Sequence, residues 1–237
     1  MVVTALRWQT HFKRACFKLL EIVMLLQRSK NMDRSYCGNI SLVADTLQSG
    51  VVQVVGIQTA FVAIKEDGSV VSWGIAGLGG DSSSVADKLQ QGLLQVVGNQ
   101  HAFPAINEDG SVVSWGNTAF GGDSSSVADK LHEGVLQVVG NFRAFAAIKD
   151  DGSVVSWGSA SDGGSVADKL ESHVFQVIGN RAAFAAIKHD GSVAAWDNAD
   201  HGGDSPSAAN KLQKGVVQVV GNLRAFAVIK DNGSVVS

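Results

Sequence analysis

Histidine and cysteine are the residues of this chain whose chemistry is best suited to holding a metal ion. A metal site needs three or four converging ligands, and the histidines occupy unrelated places along the chain. They are His11, His101, His132, His173, His189 and His201. The two cysteines, Cys16 and Cys37, form no CxxC pair and are too few for a disulfide framework. We therefore predict no metal site and no bound cofactor.

Serine and aspartate recur in "GGDSSS" segments at Gly79 and Gly121, a pattern that suggests catalysis, phosphate binding or calcium binding. Nucleophilic catalysis would need a GxSxG elbow or an adjacent base, and a phosphate loop would need Gly-Lys-Ser/Thr. The sequence contains neither motif. Calcium takes six to eight oxygen ligands, whereas each segment offers one carboxylate, such as Asp81 or Asp123. Turns and helix caps explain these residues better, so we predict no catalytic residue and no enzyme.

These serines belong to a unit that occurs five times. A glycine and a phenylalanine recur at spacings of 42, 42, 39 and 42 residues, and a tryptophan recurs in four of the units. The markers are Gly56, Gly98, Gly140, Gly179 and Gly221, then Phe61, Phe103, Phe145, Phe184 and Phe226, then Trp73, Trp115, Trp157 and Trp196. Such a period is typical of stacked or radially arranged units that cannot bury an apolar face alone.

Each unit contains three predicted strands, which the third unit illustrates. "VLQVVG", residues 135–140, is a short β-branched strand that ends at glycine. In the next strand, "AFAAIK", Phe145 and Ile148 lie on opposite faces. The following Asp-Gly predicts a two-residue hairpin loop of the primed type, because glycine adopts a positive φ without steric cost. The third strand, "SVVSWG", carries Trp157, which we place in the core between sheets.

The fourth part of the unit, "GGDSSSVADKL", changes in character. Ser126 and Asp129 match a capping box, and Val127 and Leu131 lie four apart on one helical face. The equivalent pairs are Ser84/Asp87 and Ser165/Asp168, while the fourth unit has Asn210 in place of the aspartate. We predict one or two helical turns that lead the chain to the next unit.

Three strands and a short connector every ~42 residues indicate an all-β, propeller-like array of about five short three-stranded blades. Residues 39–237 form this repeat domain of about 4.7 units, which start near residues 51, 93, 135, 174 and 216. The array is either a closed ring of five blades or an open fragment of a longer one. Residues 1–38 are a basic amphipathic extension, predicted to be helical, for which organelle targeting is the alternative to a plain structural role.

Charge divides the chain at the same boundary. Residues 1–38 contain seven Lys/Arg and two acidic residues, whereas residues 39–237 contain twelve and twenty, a net charge of about −8. An acidic repeat region argues against a nucleic acid partner. No run of eighteen uncharged apolar residues is present, so we expect no membrane span. The two cysteines outside the repeats fit a reducing compartment, and we expect a cytoplasmic protein.

The unit resembles the regulator of chromosome condensation repeat. The closest copy is "VVGNQHAFPAINEDGSVVSWG", Val96–Gly116, with His101 at the family's histidine position. Other units have different residues there: Thr59, Arg143, Ala182 and Arg224. The resemblance implies a propeller, although family rings usually have seven blades of longer repeats. Known relatives are exchange factors for a small GTPase, substrate-recruiting propellers in HECT-type ubiquitin ligases, or a plant ultraviolet-B photoreceptor.

The loop after the first strand differs from unit to unit, although the sequence around it is copied. The varying pairs follow an invariant Gly-Asn in four units, and loops are where a repeat fold presents a partner surface. We therefore predict partner-binding residues in this loop, with neutral drift as the alternative. The predicted residues are Gln100, His101, Phe142, Arg143, Arg181, Leu223 and Arg224.

Three functional interpretations follow from the sequence. The first is a non-enzymatic scaffold that binds another protein through these loops. The second is a fragment of a larger regulator, such as a ubiquitin ligase or an exchange factor, whose catalytic part lies outside this chain. The third is a product of recent duplication with little selected function.

Overall fold

The computed structural model describes residues 43–89, 92–165, 170, 172–204 and 211–237. The predicted helical extension, residues 1–38, lies outside the described residues, as do Asp168 and Asn210 of the predicted connectors. Within the described part, each repeat forms one three-stranded antiparallel sheet, and the five sheets follow one another along the chain. The predicted all-β array of three-stranded blades is confirmed.

In every sheet the second strand lies between the first and the third. We number the sheets 1 to 5 in chain order. Their strands are β1 Val51–Gly56, β2 Ala60–Lys65, β3 Val70–Gly74, β4 Leu93–Val96, β5 Ala102–Asn107, β6 Val112–Gly116, β7 Val135–Gly140, β8 Ala144–Lys149, β9 Val154–Gly158, β10 Val174–Gly179, β11 Ala183–Lys188, β12 Val193–Asp197, β13 Val216–Gly221, β14 Phe226–Lys230 and β15 Val235–Val236.

The Asp-Gly hairpin has a three-residue loop, so the predicted two-residue loop is wrong. In sheet 3 the Lys149 N–H donates to the Ser153 carbonyl at 2.9 Å, and the Gly152 N–H donates to the Lys149 carbonyl at 3.0 Å. Gly152 has φ 74°, the left-handed conformation that follows a type I turn in three-residue hairpins. The Asp151 carboxylate accepts the Ser153 N–H at 2.8 Å and so favours this turn.

Consecutive sheets pack face to face, and each junction joins the same two kinds of face. The face of sheet 2 that carries Ala102 and Ile106 contacts the face of sheet 3 that carries Phe145 and Trp157. The opposite face of sheet 3, with Ala146 and Ile148, contacts sheet 4 in the same way. The alternation predicted for the central strand is confirmed, since Phe145 and Ile148 lie in different junctions. The small alanines of this strand let the next sheet approach closely.

The tryptophans occupy the core as predicted, since Trp73, Trp115, Trp157 and Trp196 are buried. Each lies against the phenylalanine of the same sheet, with ring centroids 5.3–5.5 Å apart. The pairs of sheets 2, 3 and 4 supply the largest apolar side chains at the three junctions that join sheets 1 to 4.

The connectors contain short helices, but the predicted capping box is wrong. Ser126 lies inside a 3-10 helix, Ser125–Lys130, and no side chain caps that helix. The Asp123 carboxylate instead accepts the Ser125 N–H at 2.9 Å, because the preceding turn places it there. Ser84 and Asp87 likewise lie within helices. The prediction for Leu131 holds, since this residue is buried in the junction between sheets 2 and 3.

The described helices are all short. They are the α-helix α1 Ala86–Leu89 and the 3-10 helices Ala76–Leu78, Ser83–Val85, Thr118–Phe120, Ser125–Lys130, Ala160–Asp162 and Ala199–His201. Among the residues that the structure describes, no helix has the length and apolar character needed to cross a membrane.

The outer face of sheet 5 differs from the matching faces of the other sheets. Ala225 is exposed and Ile229 is partly exposed, whereas the equivalent residues of sheet 3, Ala144 and Ile148, are buried by sheet 4. Of the apolar clusters formed by described residues, those between sheets join consecutive sheets, and none joins sheet 5 to sheet 1.

Candidate functional site

The loops predicted to bind a partner are held by an asparagine clamp. The Asn141 side-chain oxygen accepts the N–H groups of Arg143 and Ala144, at 3.0 and 2.7 Å. Its side-chain nitrogen donates to the carbonyl of Asp162, in the loop that follows the third strand of the same sheet. The clamp therefore fixes two loops relative to each other and turns the side chains after the asparagine outward.

The same clamp recurs in the neighbouring sheets. Asn99 accepts from His101 and Ala102, each at 3.0 Å, and donates to the Phe120 carbonyl at 2.7 Å. Asn180 donates to the carbonyl of His201 at 2.6 Å. The first unit lacks this asparagine, and the Thr59 hydroxyl takes over its donor role toward the Leu78 carbonyl at 2.9 Å.

Side chains from sheets 2, 3 and 4 meet above these clamps. The His101 ring lies edge-on to Phe120, with centroids 4.6 Å apart, and the Phe120 and Phe142 centroids are 6.4 Å apart. The guanidinium carbon of Arg143 lies 5.2 Å from the Phe120 centroid and 5.8 Å from the Phe142 centroid. That of Arg181 lies 4.6 Å from the Phe142 centroid. We call the surface formed by Gln100, His101, Phe120, Phe142, Arg143 and Arg181 the loop surface.

The structure brings five of the seven predicted residues onto this surface. Gln100 joins it through a hydrogen bond of 2.7 Å from its side chain to that of Gln58 in the loop of sheet 1. Leu223 and Arg224 lie in the equivalent loop of sheet 5. No hydrogen bond, ion pair or ring contact between described residues links the side chains of these two residues to the loop surface. Leu223 is 71% exposed.

Phe120 belongs to the loop surface, and the sequence reasoning missed it. Its repeat position, in the loop after the third strand, is occupied by Leu78, Asp162 and His201 in the other units. This position therefore varies within copied units, as the predicted residues do. The same criterion, applied to the second loop, would have found it.

The loop surface carries two of the three arginines of the repeat region. Arg143, Arg181 and Arg224 are the arginines of residues 39–237, and all three lie in the loops after the first strands. Arg143 and Arg181 are exposed and form no ion pair with a carboxylate among the described residues. Their positive charge is therefore available to an external ligand.

His101 contributes little charge to this surface near neutral pH. Partial burial, followed by the positive charge of Arg143, lowers the pKa of His101 below its usual value of 6.5. Its Nδ1 lies 3.2 Å from the Thr59 hydroxyl. A neutral imidazole between Thr59 and Phe120 suits packing and hydrogen bonding.

The other histidines lie apart from one another. In the described part of the chain, no group of three or more His, Cys, Asp or Glu side chains could hold a metal ion. His132 lies 3.3 Å from the Glu133 carboxylate, and both side chains are exposed. The loop surface offers cationic, aromatic and amide side chains, which can bind a ligand.

Comparison with known proteins adds information on the fold. No protein-family model and no curated protein matches the chain. Similar solved structures include human WBSCR16, at 18% identity and a TM-score of 0.48, covering 78% of this chain and 60% of that protein. Yeast RCC1 (Prp20), solved bound to Kap60, is similar at 15% identity and a TM-score of 0.49, with coverages of 78% and 55%.

The chain is similar in structure to proteins of the regulator of chromosome condensation type. Yeast RCC1 carries the name of the family that the sequence motifs resemble. A third neighbour is the CRINKLY WD40 ectodomain of the Arabidopsis thaliana receptor kinase ACR4, at 15% identity, a TM-score of 0.47 and coverages of 76% and 59%. This chain spans 55–60% of the length of these three structures.

Proposed function

We propose that this chain is a non-enzymatic protein-interaction scaffold that binds an acidic polypeptide segment through the loop surface. One observation carries the proposal. The guanidinium groups of Arg143 and Arg181 lie over the rings of Phe120 and Phe142, and no carboxylate among the described residues pairs with them.

An arginine that stacks on an aromatic ring is well prepared to bind a carboxylate. The ring contacts the face of the guanidinium plane and leaves its N–H edge directed outward. A side-chain carboxylate can then accept two parallel hydrogen bonds from that edge. Because the stacked arginine has already lost rotamer freedom, less entropy is lost when the ligand binds.

The charge of the remaining repeat region favours binding at this place. Residues 39–237 carry about −8, so an acidic segment is repelled from most of the surface and attracted to the arginine loops. Phe120 and Phe142 provide partly exposed apolar area beside the charge, as is common at protein interfaces.

Direct binding to the full chain tests this proposal, with fluorescein-labelled hexaglutamate as the probe. We expect anisotropy titrations at low salt to show binding that weakens as salt increases. The double variant Arg143→Ala/Arg181→Ala should bind at least tenfold more weakly. Lys130→Ala/Lys214→Ala removes two exposed charges elsewhere and serves as the matched control.

Two results would reject the proposed surface. One is an equal loss of affinity in the lysine double variant, which would mean that net charge alone determines binding. The other is unchanged binding by the arginine double variant. The interpretations as part of an enzyme-associated regulator and as a duplication product have no comparable observation in their favour. A cytoplasmic location belongs to this proposal, and microscopy of the full chain fused to a fluorescent protein would test it.

A further inference from the structure

The second residue of the first strand is apolar and exposed in sheets 2 to 5. The strand pairing shifts at this residue, as it does between Val135 and Gln137 in sheet 3, so the residue lies in a β-bulge. A bulged residue has no partner on the neighbouring strand. Its side chain is therefore available for contacts outside its own sheet. The four residues are Leu94, Leu136, Phe175 and Val217.

Two of these side chains line a single cavity. Leu136 is 67% exposed and Phe175 is 47% exposed, and both line a cavity of about 650 Å³ at the hairpin end of sheets 3 and 4. The loop surface lies at the other end of these sheets, because its residues follow the last residue of each first strand. The surface formed by Leu136, Asp150, Asp151, His173, Phe175 and His189 is called the hairpin groove.

Three residues of the hairpin groove depart from the copied sequence of the repeats. In the other four units, a glycine stands in place of His173, a valine or leucine in place of Phe175, and a glutamate or aspartate in place of His189. The Phe175 and His189 ring centroids are 5.3 Å apart, and the His189 N–H donates to the His173 carbonyl at 2.9 Å. His173 has φ 66°, a conformation that favours glycine. These departures give the groove ring surface that the same positions of the other units do not provide.

The hairpin end of the sheets is acidic. Its five hairpins, residues 65–69, 107–111, 149–153, 188–192 and 230–234, contain eight acidic residues and four lysines, a net charge of −4. Hydrogen bonds from the Ser153 side chain and N–H lower the pKa of Asp151, so this carboxylate is ionised near neutral pH. The equivalent serines act in the same way on Asp67, Asp109 and Asp190. The groove therefore lies on a face that attracts a positively charged ligand.

We propose that residues 7–20 of this chain bind in its own hairpin groove. The basic extension, residues 1–38, lies outside the described residues and contains seven Lys/Arg and two acidic residues, so its charge is opposite to that of the hairpins. Residues 7–20 contain four Lys/Arg, no acidic residue and apolar side chains such as Trp8 and Phe17. The apolar side chains contact Leu136 and Phe175, and the basic ones lie beside the hairpin carboxylates.

The extension is long enough to reach the groove. The chain enters β1 at the hairpin end, because the Gly50 carbonyl accepts the Glu66 N–H at 2.6 Å. Packed sheets lie about 10 Å apart, which places the groove roughly 20–30 Å from sheet 1. Residues 21–42 span about 33 Å even as a continuous helix. Because the segment is tethered, its binding is intramolecular and needs little intrinsic affinity.

A spin label on the full chain tests the proposal. Cys16 lies within residues 7–20, and Cys37→Ser leaves it as the single cysteine for a nitroxide label. The methyl groups of Ile148 and Val174, which line the cavity, report its proximity through signal broadening. We expect their signal intensities to fall at least twofold relative to the reduced label and to recover in about 1 M salt. The Leu223 methyl signals, from a loop at the other end of sheet 5, should be unchanged.

Two pairs of variants define the contacts. Leu136→Gln/Phe175→Gln should abolish the broadening, whereas Leu94→Gln/Val217→Gln, at the same repeat position outside the cavity, should retain it. All four side chains are exposed, so the sheets are expected to fold in both variants. In the extension, reversal of three charges within residues 7–20 should abolish the broadening, and reversal of three charges beyond them should not. These variants are Lys13→Glu/Arg14→Glu/Lys18→Glu and Arg28→Glu/Lys30→Glu/Arg34→Glu.

Three results would overturn the proposal. The first is undiminished intensity at Ile148 and Val174 in the labelled chain. The second is an equal loss of broadening in a variant pair and in its matched control, which would mean that general charge or apolarity replaces the specific contact. The third is broadening in an isotope-labelled chain without a nitroxide when spin-labelled chain is added, because the segment would then bind a second copy. The hairpin groove and the loop surface share no residue, so failure of one proposal leaves the other unaffected.

Discussion

The guanidinium carbon of Arg181 lies 4.6 Å from the centroid of the Phe142 ring, although the two residues belong to adjacent repeats. The Phe142 N–H also donates to the Arg181 carbonyl at 3.3 Å. The loops of sheets 3 and 4 are thus joined through both backbone and side chains. A surface built from separate repeats is consequently held as one unit.

The contact between the Phe142 ring and the Arg181 guanidinium should contribute to the free energy of unfolding. A double-mutant cycle of Phe142→Ala and Arg181→Ala is expected to give an interaction energy of about 0.5–1 kcal/mol, the value for an exposed cation–π pair. Urea denaturation followed by circular dichroism measures it. The cycle of Phe142→Ala with Arg224→Ala is the control and should give a value near zero. Equal coupling in the two cycles would contradict a direct contact.

The asparagine clamp should matter for stability as well as for loop geometry. Asn141→Ala removes three hydrogen bonds at a buried position and is expected to lower the free energy of unfolding by about 2–3 kcal/mol. Asn222 is its equivalent in sheet 5, where it is exposed and accepts from Arg224 and Ala225. Asn222→Ala should therefore cost less, and a similar loss in both variants would argue against the clamp as described.

His101 should make stability depend on pH. Its lowered pKa means that the folded chain binds fewer protons than the unfolded chain as pH falls below about 6.5. The stability that neutral His101 contributes is therefore fully present above this pH. It is lost as the pH falls toward the lowered pKa of His101 in the folded chain. In His101→Thr, which copies Thr59 of the first unit, the urea midpoint should depend less on pH between pH 7.5 and 5 than it does in wild type.

The groups that face His101 define the control for this measurement. Thr59, Phe120 and Arg143 are uncharged or cannot change charge in this range, so the difference between wild type and His101→Thr isolates the imidazole. His132→Thr, at an exposed histidine, tests the effect of the substitution itself. A steeper pH dependence in His101→Thr than in wild type would contradict a lowered pKa for His101 in the folded chain.

The sequence was sufficient to predict features that repeat. The period located the strands, and the alternation in "AFAAIK" placed Phe145 and Ile148 on opposite faces, because strand geometry leaves no other choice. The tryptophans were placed correctly in the core, since no other residue of the unit has comparable apolar area. Features of this kind are set by the sequence of one unit and by its packing against similar units.

Features that depend on hydrogen-bond geometry were not predicted. Asp-Gly fits both two-residue and three-residue hairpins, and the Asp151 bond to Ser153 decides between them only in three dimensions. Ser126 and Asp129 have the spacing of a capping box, but the chain forms a 3-10 turn there. Phe120 reaches the loop surface from the loop after the third strand. The variation in the loop after the first strand, on which the prediction was based, could not indicate it.

A buried serine in the third strand offers a route to higher stability. The Ser156 hydroxyl is buried without a hydrogen-bond partner among the described residues, and Ala195 occupies the same position in sheet 4. Ser156→Ala removes the desolvated hydroxyl and should raise the free energy of unfolding by about 1 kcal/mol. Urea denaturation of the full chain measures the change. Ser192→Ala, in a hairpin turn where Asp190 binds the backbone N–H, is not expected to stabilise.

Comparison of two tryptophans tests the importance of the glycine acceptor. The Nε1–H of Trp157 donates to Gly121, whereas the Nε1–H of Trp73 is buried with no partner among the described residues. Substitution by phenylalanine removes a similar apolar volume at both positions. Trp157→Phe also loses a hydrogen bond and leaves the Gly121 carbonyl unpaired, while Trp73→Phe removes a donor whose burial is unfavourable.

We therefore expect Trp157→Phe to lower the free energy of unfolding by about 2 kcal/mol more than Trp73→Phe does. Urea denaturation followed by circular dichroism at a backbone wavelength allows the two variants to be compared without interference from the remaining indoles. Gly121→Ala places a methyl group 2.8 Å from the Phe145 ring at a positive φ and serves as an independent disruption of the same junction. Equal destabilisation by the two tryptophan substitutions would show that ring packing alone stabilises these positions, without a contribution from the hydrogen bond to Gly121.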